Sequence, residues 1–519
     1  MLNTRRSRSG RRSPARRPQR ARRTCSRPSC SSRRSRPIRG IGGRAAVISI
    51  TRLMNQGLLL ISPMLLTRFL SVEEFGQYRE FLLYATVLEV IASYNIFTSL
   101  LRFVAHHPEH RQQFVDQAVL MTLGTSTLVV VGTAVLNWIF QGALVGDFML
   151  PLGVLAFVYV NFDYWEHMWL TQRRIGAVFA YTTGRLIARM VTVVTAAWLS
   201  SDVQVIIWSL VTLEAARFLG SFFMWARYRQ GGHRRLESGW REQLRFCGPT
   251  GAAHVLVGLN KSMSSLYVAK LLGPVALAHF AIGTYMRPII TVLRNSMSDV
   301  LLPEISSQVR SQPHADSLLL WRRMTVVAAI LMVPAAVLLG RFAETIVVTL
   351  FTEEYREAVP VFQIYLLVLF REVVDFAVPL RAINRTAPLM YGNLVSLVSN
   401  AILLAILLPT IGLIGAAAAF VLARMIEGVY QGRQTAKAYG IAARELVRWR
   451  DVGKVALAAA LASITLATSF WTSAMGLLGV VAAGCCFMAV YVLLLLLLRV
   501  PEAVQLKQRL RLLVGQALA

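Results

Sequence analysis

Gly476-Leu477-Leu478-Gly479-Val480-Val481-Ala482-Ala483-Gly484-Cys485-Cys486-Phe487-Met488-Ala489-Val490-Tyr491-Val492-Leu493-Leu494-Leu495-Leu496-Leu497-Leu498 runs for 23 residues without a charge. At 1.5 Å per residue a helix of that length reaches about 34 Å, enough to cross a hydrocarbon core of roughly 30 Å. A helix is the required form, because in lipid each backbone N–H and C=O must find its partner inside its own segment. Similar runs recur backwards along the chain. The pattern predicts spans at 46–67, 80–101, 118–138, 149–170, 178–199 and 203–225, then at 247–269, 275–300, 322–340, 360–380, 387–407 and 411–430, with 454–472 and 476–498 closing the series. Composition agrees: 55% of the 519 residues are hydrophobic, 16% are charged and mean hydropathy is +0.53, more apolar than soluble cores of this size require. The expected fold class is an all-α polytopic membrane protein of about fourteen transmembrane helices.

A formal net charge of +29 invites a nucleic-acid reading, so the location of the charge decides. Sixteen of the 55 Lys and Arg lie in residues 1–44. Most of the rest fall in every second connection: Arg173 and Arg174, Arg227 to Arg245, Arg310 to Arg323, Arg381 and Arg385, Arg433 to Lys454, and Arg499 to Arg511. The alternate connections carry only Arg68, Arg79, Lys270, Arg341 and Arg356. That alternation is a positive-inside signal with both termini cytoplasmic, and it leaves no call for a nucleic-acid partner.

Residues 1–44 hold no acid and almost no aliphatic side chain, so they cannot bury a core and are expected to be disordered. An overlong start with translation beginning near Met54, a cytoplasmic arm on anionic lipid head groups and an organellar transit peptide all fit that composition. Cys25, Cys30, Cys247, Cys485 and Cys486 have neither disulfide nor zinc spacing, and His106, His107 and His110 have no cysteine or carboxylate at ligand spacing. No metal or cofactor is expected.

Internal repetition organises what lies between. Arg68-Phe69-Leu70-Ser71 and Lys270-Leu271-Leu272-Gly273 are 202 residues apart, Ala216-Arg217 and Ala423-Arg424 are 207 apart, and Gln172-Arg173 and Asn384-Arg385 are 212 apart. Six spans return the chain to its starting side, so the repeat implies two parallel six-helix halves with a cavity between them. The expected organisation is a tail at 1–44, an N-lobe at 45–230, a C-lobe at 244–438, two further helices within 452–499 and a cytoplasmic tail at 500–519.

A charge at the centre of a membrane helix costs at least about 2.5 to 3.5 kcal/mol, which makes each ionisable residue there a functional candidate. The spans offer Arg52 with Asn55 and Gln56, Glu89, Asp163 with Glu166 and His167, Arg185 and Arg189, His254 and Lys261, Arg287 and Arg294 with Asp299, and Glu372 and Asp375. Glu214 with Arg217 and Arg424 with Glu427 are opposite charges at i, i+3 and read as neutralising each other. Arg185, Arg189, Arg287 and Arg294 have no acid within a turn on their own helix, so they need another helix, water or an anionic ligand. Glu89, Asp163, Glu166 and Asp375 are the carboxylates that could change charge by taking up H+ or Na+. Pro63, Pro249, Pro288 and Pro379 mark candidate bends.

Leu70-Ser71-Val72-Glu73-Glu74-Phe75-Gly76-Gln77-Tyr78 after the first span and Leu244-Arg245-Phe246-Cys247-Gly248-Pro249 at the seventh carry a family resemblance. So do Leu271-Leu272-Gly273-Pro274, Pro303-Glu304-Ile305-Ser306, Leu350-Phe351-Thr352-Glu353-Glu354-Tyr355-Arg356-Glu357-Ala358 and Ile411-Gly412-Leu413-Ile414-Gly415-Ala416-Ala417-Ala418. Over residues 46 to about 500 the chain resembles the Wzx-type polysaccharide flippases of the MOP superfamily, relatives of the lipid II flippases and the multidrug and toxin exporters. The resemblance implies alternating access around a cavity lined by the first, second, seventh and eighth spans. It implies a lipid-linked (polyprenyl-diphosphate) oligosaccharide as cargo, the inner membrane as location, and association with the polysaccharide polymerase machinery. Arg52, Lys261, Arg287 and Arg294, with Arg185 and Arg189, would then grip the substrate, because guanidinium groups bind diphosphate oxygens bidentately. A cation antiporter of the same fold would need an acidic or aromatic cavity. A membrane-embedded glycosyltransferase or polymerase would need a sizeable outer loop, and the largest, near Arg341 to Val359, is short.

Overall fold

The computed structural model describes residues 57–505 other than 59, 143–144, 229–238, 286–313, 384 and 467–475. Among the described residues there is no strand. The first span is seen over its end, α1, at 60–66. Ser71 then caps α2 (Val72–Ser93): its hydroxyl accepts from the Glu74 N–H and the Glu74 carboxylate accepts from the Ser71 N–H at 2.8 Å. This capping box starts the second span eight residues before its predicted beginning at 80. Arg79, counted from sequence with an outer connection, therefore stands two turns inside the helix.

Left-handed Tyr94 and Asn95 end α2, and a bend of 46° leads into α3 (Ser99–His106). The third span is α4 (Arg111–Ile139) and the fourth is two pieces, α5 (Met149–Val160) and α6 (Trp165–Thr171). α7 (Ile175–Leu199) and α8 (Val203–Tyr228) complete the N-lobe. In the C-lobe α9 (Gly239–Gly283) holds the seventh span and the start of the eighth, and α10 (His314–Arg341) is the ninth. α11 (Ala343–Phe351) leads to a tenth span in two pieces, α12 (Ala358–Glu372) and α13 (Ala377–Ala382). α14 (Ala387–Tyr439) holds the eleventh and twelfth, and α15 (Trp449–Ala462) and α16 (Gly476–Leu497) are the last two.

Among the described residues eight helical stretches are long and apolar enough to cross a membrane, the two pieces of the fourth span counting as one, and nine when the bent α2–α3 pair is included. Two of the eight are folded back at a glycine: α14 contains the eleventh and twelfth spans, and α9 the seventh span and the described start of the eighth. Gly273 and Gly412 have φ of 82° and 60°, a region that only a residue without Cβ enters freely, so each span returns through a single residue. With the end of the first span, the broken tenth and the short thirteenth, the described residues fit an all-α architecture of about fourteen spans in two six-helix repeats and two further helices. Leu128, Trp138, Leu199, Phe223 and Leu497 expose two thirds or more of their surface, as helices facing lipid do.

The breaks in the fourth and tenth spans obey the repeat. α6 and α13 begin 212 residues apart, as do α7 and α14, and the same shift superposes Asp163-Tyr164 on Asp375-Phe376. A helix that stops inside a bundle leaves carbonyls without partners. In the N-lobe the Arg217 guanidinium of α8 donates to the carbonyls of Val158 and Tyr159 at 2.6 and 2.9 Å. In the C-lobe Arg371 donates to the Val374 carbonyl at 3.1 Å and the Trp321 indole to the Asp375 carbonyl at 3.0 Å. Arg217→Met strips the caps from α5 and leaves the buried Glu214 carboxylate short of a partner, a loss of about 3 to 5 kcal/mol. The unfolding temperature of the purified protein in detergent is expected to fall, with Arg217→Lys recovering only part.

Candidate functional site

Charged side chains of the N-lobe converge behind the break at 161–164. Arg185 of α7 pairs with Asp163 at 2.7 Å and with Glu214 of α8 at 3.0 Å. Glu214, which is 1% exposed, also holds Arg217 at 2.8 Å, and the Tyr181 hydroxyl donates to Asp163 at 2.8 Å. Two carboxylates and two guanidinium groups thus neutralise one another, and the ring of Tyr159 lies 4.5 Å from the Arg185 guanidinium. Arg189, one turn further along α7, is held more loosely. Its nearest carboxylate oxygen, on Glu214, is 3.9 Å away, and it donates to the Tyr159 hydroxyl at 3.4 Å.

Two cavities meet at Arg189. The first, of about 140 Å³, lies among α1, α2, α7 and the C-lobe residue Tyr285; Ser62, Pro63, Arg79 and Arg189 line it, and no acidic side chain does among the described residues. Arg79 donates to the Tyr285 hydroxyl at 3.0 Å, its guanidinium sits 5.4 Å from that ring, and its Nε is buried without a partner. The second cavity, of about 230 Å³, has Glu89, Thr86 and Tyr159 in its wall along with Arg189. Glu89 makes no hydrogen bond or ion pair within reach among the described residues.

The C-lobe holds a larger cavity, of about 320 Å³, in which Lys261, Arg371, Arg381 and Arg424 face Glu372, Asp375 and Glu427. Arg424 pairs with Glu372 at 2.7 Å and with Glu427, and Gln431 joins Glu427 to Arg371. The difference from the N-lobe is readable in the repeat. Asn393 and Leu397 stand 212 residues after Tyr181 and Arg185, so the two side chains that fill the N-lobe cluster have a short amide and an aliphatic group as counterparts. Asn393 lines the space that results.

Of the residues singled out from sequence, Arg185 and Asp163 are joined in one ion pair, Arg189 and Glu89 share one cavity, and Lys261 and Asp375 share another. Glu166 lies on α6, beyond the break, and lines none of the three. Arg52, Arg287 and Arg294 lie outside the described residues. Arg79 and Tyr285 were missed. The Ser71–Glu74 box carried the signal for Arg79, since a helix capped at 71 takes residue 79 into the span.

Residues 65–360, more than half of the chain, match a family model described as polysaccharide biosynthesis protein, and residues 259–486 match one described as lipid II flippase MurJ. None of the curated proteins matches. Among solved structures, lipid II flippase MurJ in an inward closed conformation is similar over 86% of this chain and 98% of its own, with a TM-score of 0.62 and 14% identity. A mutant of the Vibrio cholerae MATE transporter VcmN matches over 77% and 97%, with a TM-score of 0.51 and 11% identity. A multidrug resistance MATE transporter of the MOP superfamily, facing inward, matches over 76% and 98%, again at 0.51 and 11%. At these identities the structural likeness speaks for the fold, and the solved proteins that share it are a flippase and transporters. With the helical fold and the family match in agreement, this multi-pass membrane protein belongs to the family described as polysaccharide biosynthesis protein.

Proposed function

We propose that the protein turns a polyprenyl-diphosphate-linked oligosaccharide from the cytoplasmic to the outer leaflet of the inner membrane, for cell-surface polysaccharide such as O-antigen, capsule or exopolysaccharide. Both termini are then cytoplasmic, and the polymerase machinery receives the cargo on the far side. The observation that carries this reading is the pairing of Arg79 and Arg189 in a cavity with no acid among its described lining. Two guanidinium groups in a low-dielectric space repel a cationic drug and attract diphosphate oxygens, which they bind bidentately. Such a cavity takes the headgroup while the polyprenyl tail stays in lipid. In this reading Arg52, Arg287 and Arg294, which lie outside the described residues, add to the positive charge offered to the headgroup, and Lys261 supplies one from the C-lobe.

Coupling falls to Glu89. Asp163 is saturated by Arg185, Arg217 and Tyr181, whereas Glu89 faces open space beside Arg189 and can exchange a proton or hold a sodium ion there.

The test is translocation of a fluorescent polyprenyl-diphosphate saccharide in proteoliposomes, scored by its protection from an external quencher. Each lost charge-assisted contact is worth about 1.5 to 3 kcal/mol. Arg79→Ala and Arg189→Ala should therefore each slow transport by about tenfold or more. Wild-type rates in both would overturn the reading. Glu89→Gln is expected to leave cargo binding in place and to remove the response of the rate to an imposed proton or sodium gradient.

A further inference from the structure

The two lobes meet along a seam at the end nearest the connection between the first two spans. Gly76 of α2 packs so closely on Pro274 that a Cβ there would lie 2.1 Å from the Pro274 carbonyl oxygen. Beside it the rings of Phe75 and Tyr355 meet edge to face at 5.9 Å, and within the C-lobe Tyr285 stacks on Phe351 at 5.7 Å. Arg68 also donates across the seam, to the Thr349 carbonyl at 3.5 Å, but it lines none of the three cavities; the contacts named above are apolar or between backbones, and an anion entering the interior leaves them untouched. Arg79 differs. It belongs to the N-lobe, its hydrogen bond and its cation–π contact are to Tyr285 of the C-lobe, and it lines the cavity in which the cargo headgroup is placed above.

We propose that the Arg79–Tyr285 contact is a latch between the lobes which a diphosphate headgroup releases by taking the Arg79 guanidinium for itself. This rests on the cargo reading given above and adds how cargo opens the seam. Closed, Arg79 spends one Nη donor and its flat face on Tyr285, and its buried Nε donates to nothing. A phosphate group is the stronger acceptor and can take Nε and Nη together. A ligand shifts a conformational equilibrium only by binding one state better. Here the better-bound state is the one in which Tyr285 has let go, so diphosphate opens the seam. By linkage, opening the seam tightens diphosphate binding by the same factor. Arg79 acts on the cargo directly, and Tyr285 acts through Arg79 as a positioning residue.

The experiment places spin labels at Glu73→Cys and Leu271→Cys, both exposed and on opposite sides of the seam, in a chain whose native cysteines are serine. Their separation is measured in nanodiscs with and without farnesyl diphosphate, whose binding is followed in the same samples. Ligand is expected to lengthen the distance in the otherwise unaltered chain. Tyr285→Phe keeps the ring and removes only the hydroxyl, so it should raise the open-to-closed ratio roughly tenfold without ligand, a decade being about 1.4 kcal/mol. Arg79→Ala should abolish the response to ligand. A Tyr285→Phe distribution identical to that of the parent, or a ligand response surviving in Arg79→Ala, overturns the latch. Binding of farnesyl diphosphate without lengthening refutes the latch and spares the cargo reading, while absence of binding refutes both.

Discussion

The guanidinium of Arg217, shared between the carboxylates of Glu214 and Asp163 and two carbonyls, is the interaction from which the interior of the N-lobe follows. Lipid satisfies no backbone group, so a span that stops within the bundle must bring its own donors. Arg217 supplies them to α5. In doing so it fixes Glu214, Glu214 fixes Arg185, and Arg185 with Tyr181 fixes Asp163 at the start of the next piece. A charge cluster that looks like a transport pathway in sequence is thus first a joint in a helix. Arg189, held loosely by Glu214 and Tyr159, and Glu89 stand beside the joint and share a cavity there.

The two lobes show what duplication followed by divergence does to such a joint. Both keep the interruption after an Asp-aromatic pair, and both keep an arginine on the sixth helix of the lobe. In the N-lobe a tyrosine and a second arginine pack the space. In the C-lobe their counterparts are Asn393 and Leu397, and the space stays open to Lys261 and Asp375. The same backbone plan therefore yields a filled strut on one side and a polar chamber on the other.

The fold was legible because a bilayer imposes length and charge rules on every span independently. Runs such as 476–498 need no knowledge of their neighbours, and an alternation of arginine-rich connections fixes their parity. The breaks at 161–164 and 373–376 were not legible, because Asn161-Phe162-Asp163-Tyr164 and Val373-Val374-Asp375-Phe376 contain neither proline nor glycine. Pro249, a candidate bend, lies inside α9 without interrupting it. The site was legible in residue type and not in pairing. That Arg185 has no acid on its own turn is a sequence fact. That Asp163 and Glu214 come to it from two other helices depends on packing that no local pattern contains. Arg79 was hidden by the charge rule itself, which assigns an arginine near a predicted span end to the connection.

Gly273 and Gly412 limit how the C-lobe can move. When two spans are joined through a single residue, neither can slide lengthwise past the other, and each pair behaves as one rigid lever pivoting about its glycine end. Sliding is left to the boundaries between pairs, where the connections have slack. A joint of that kind suits a machine that must close one mouth as it opens the other.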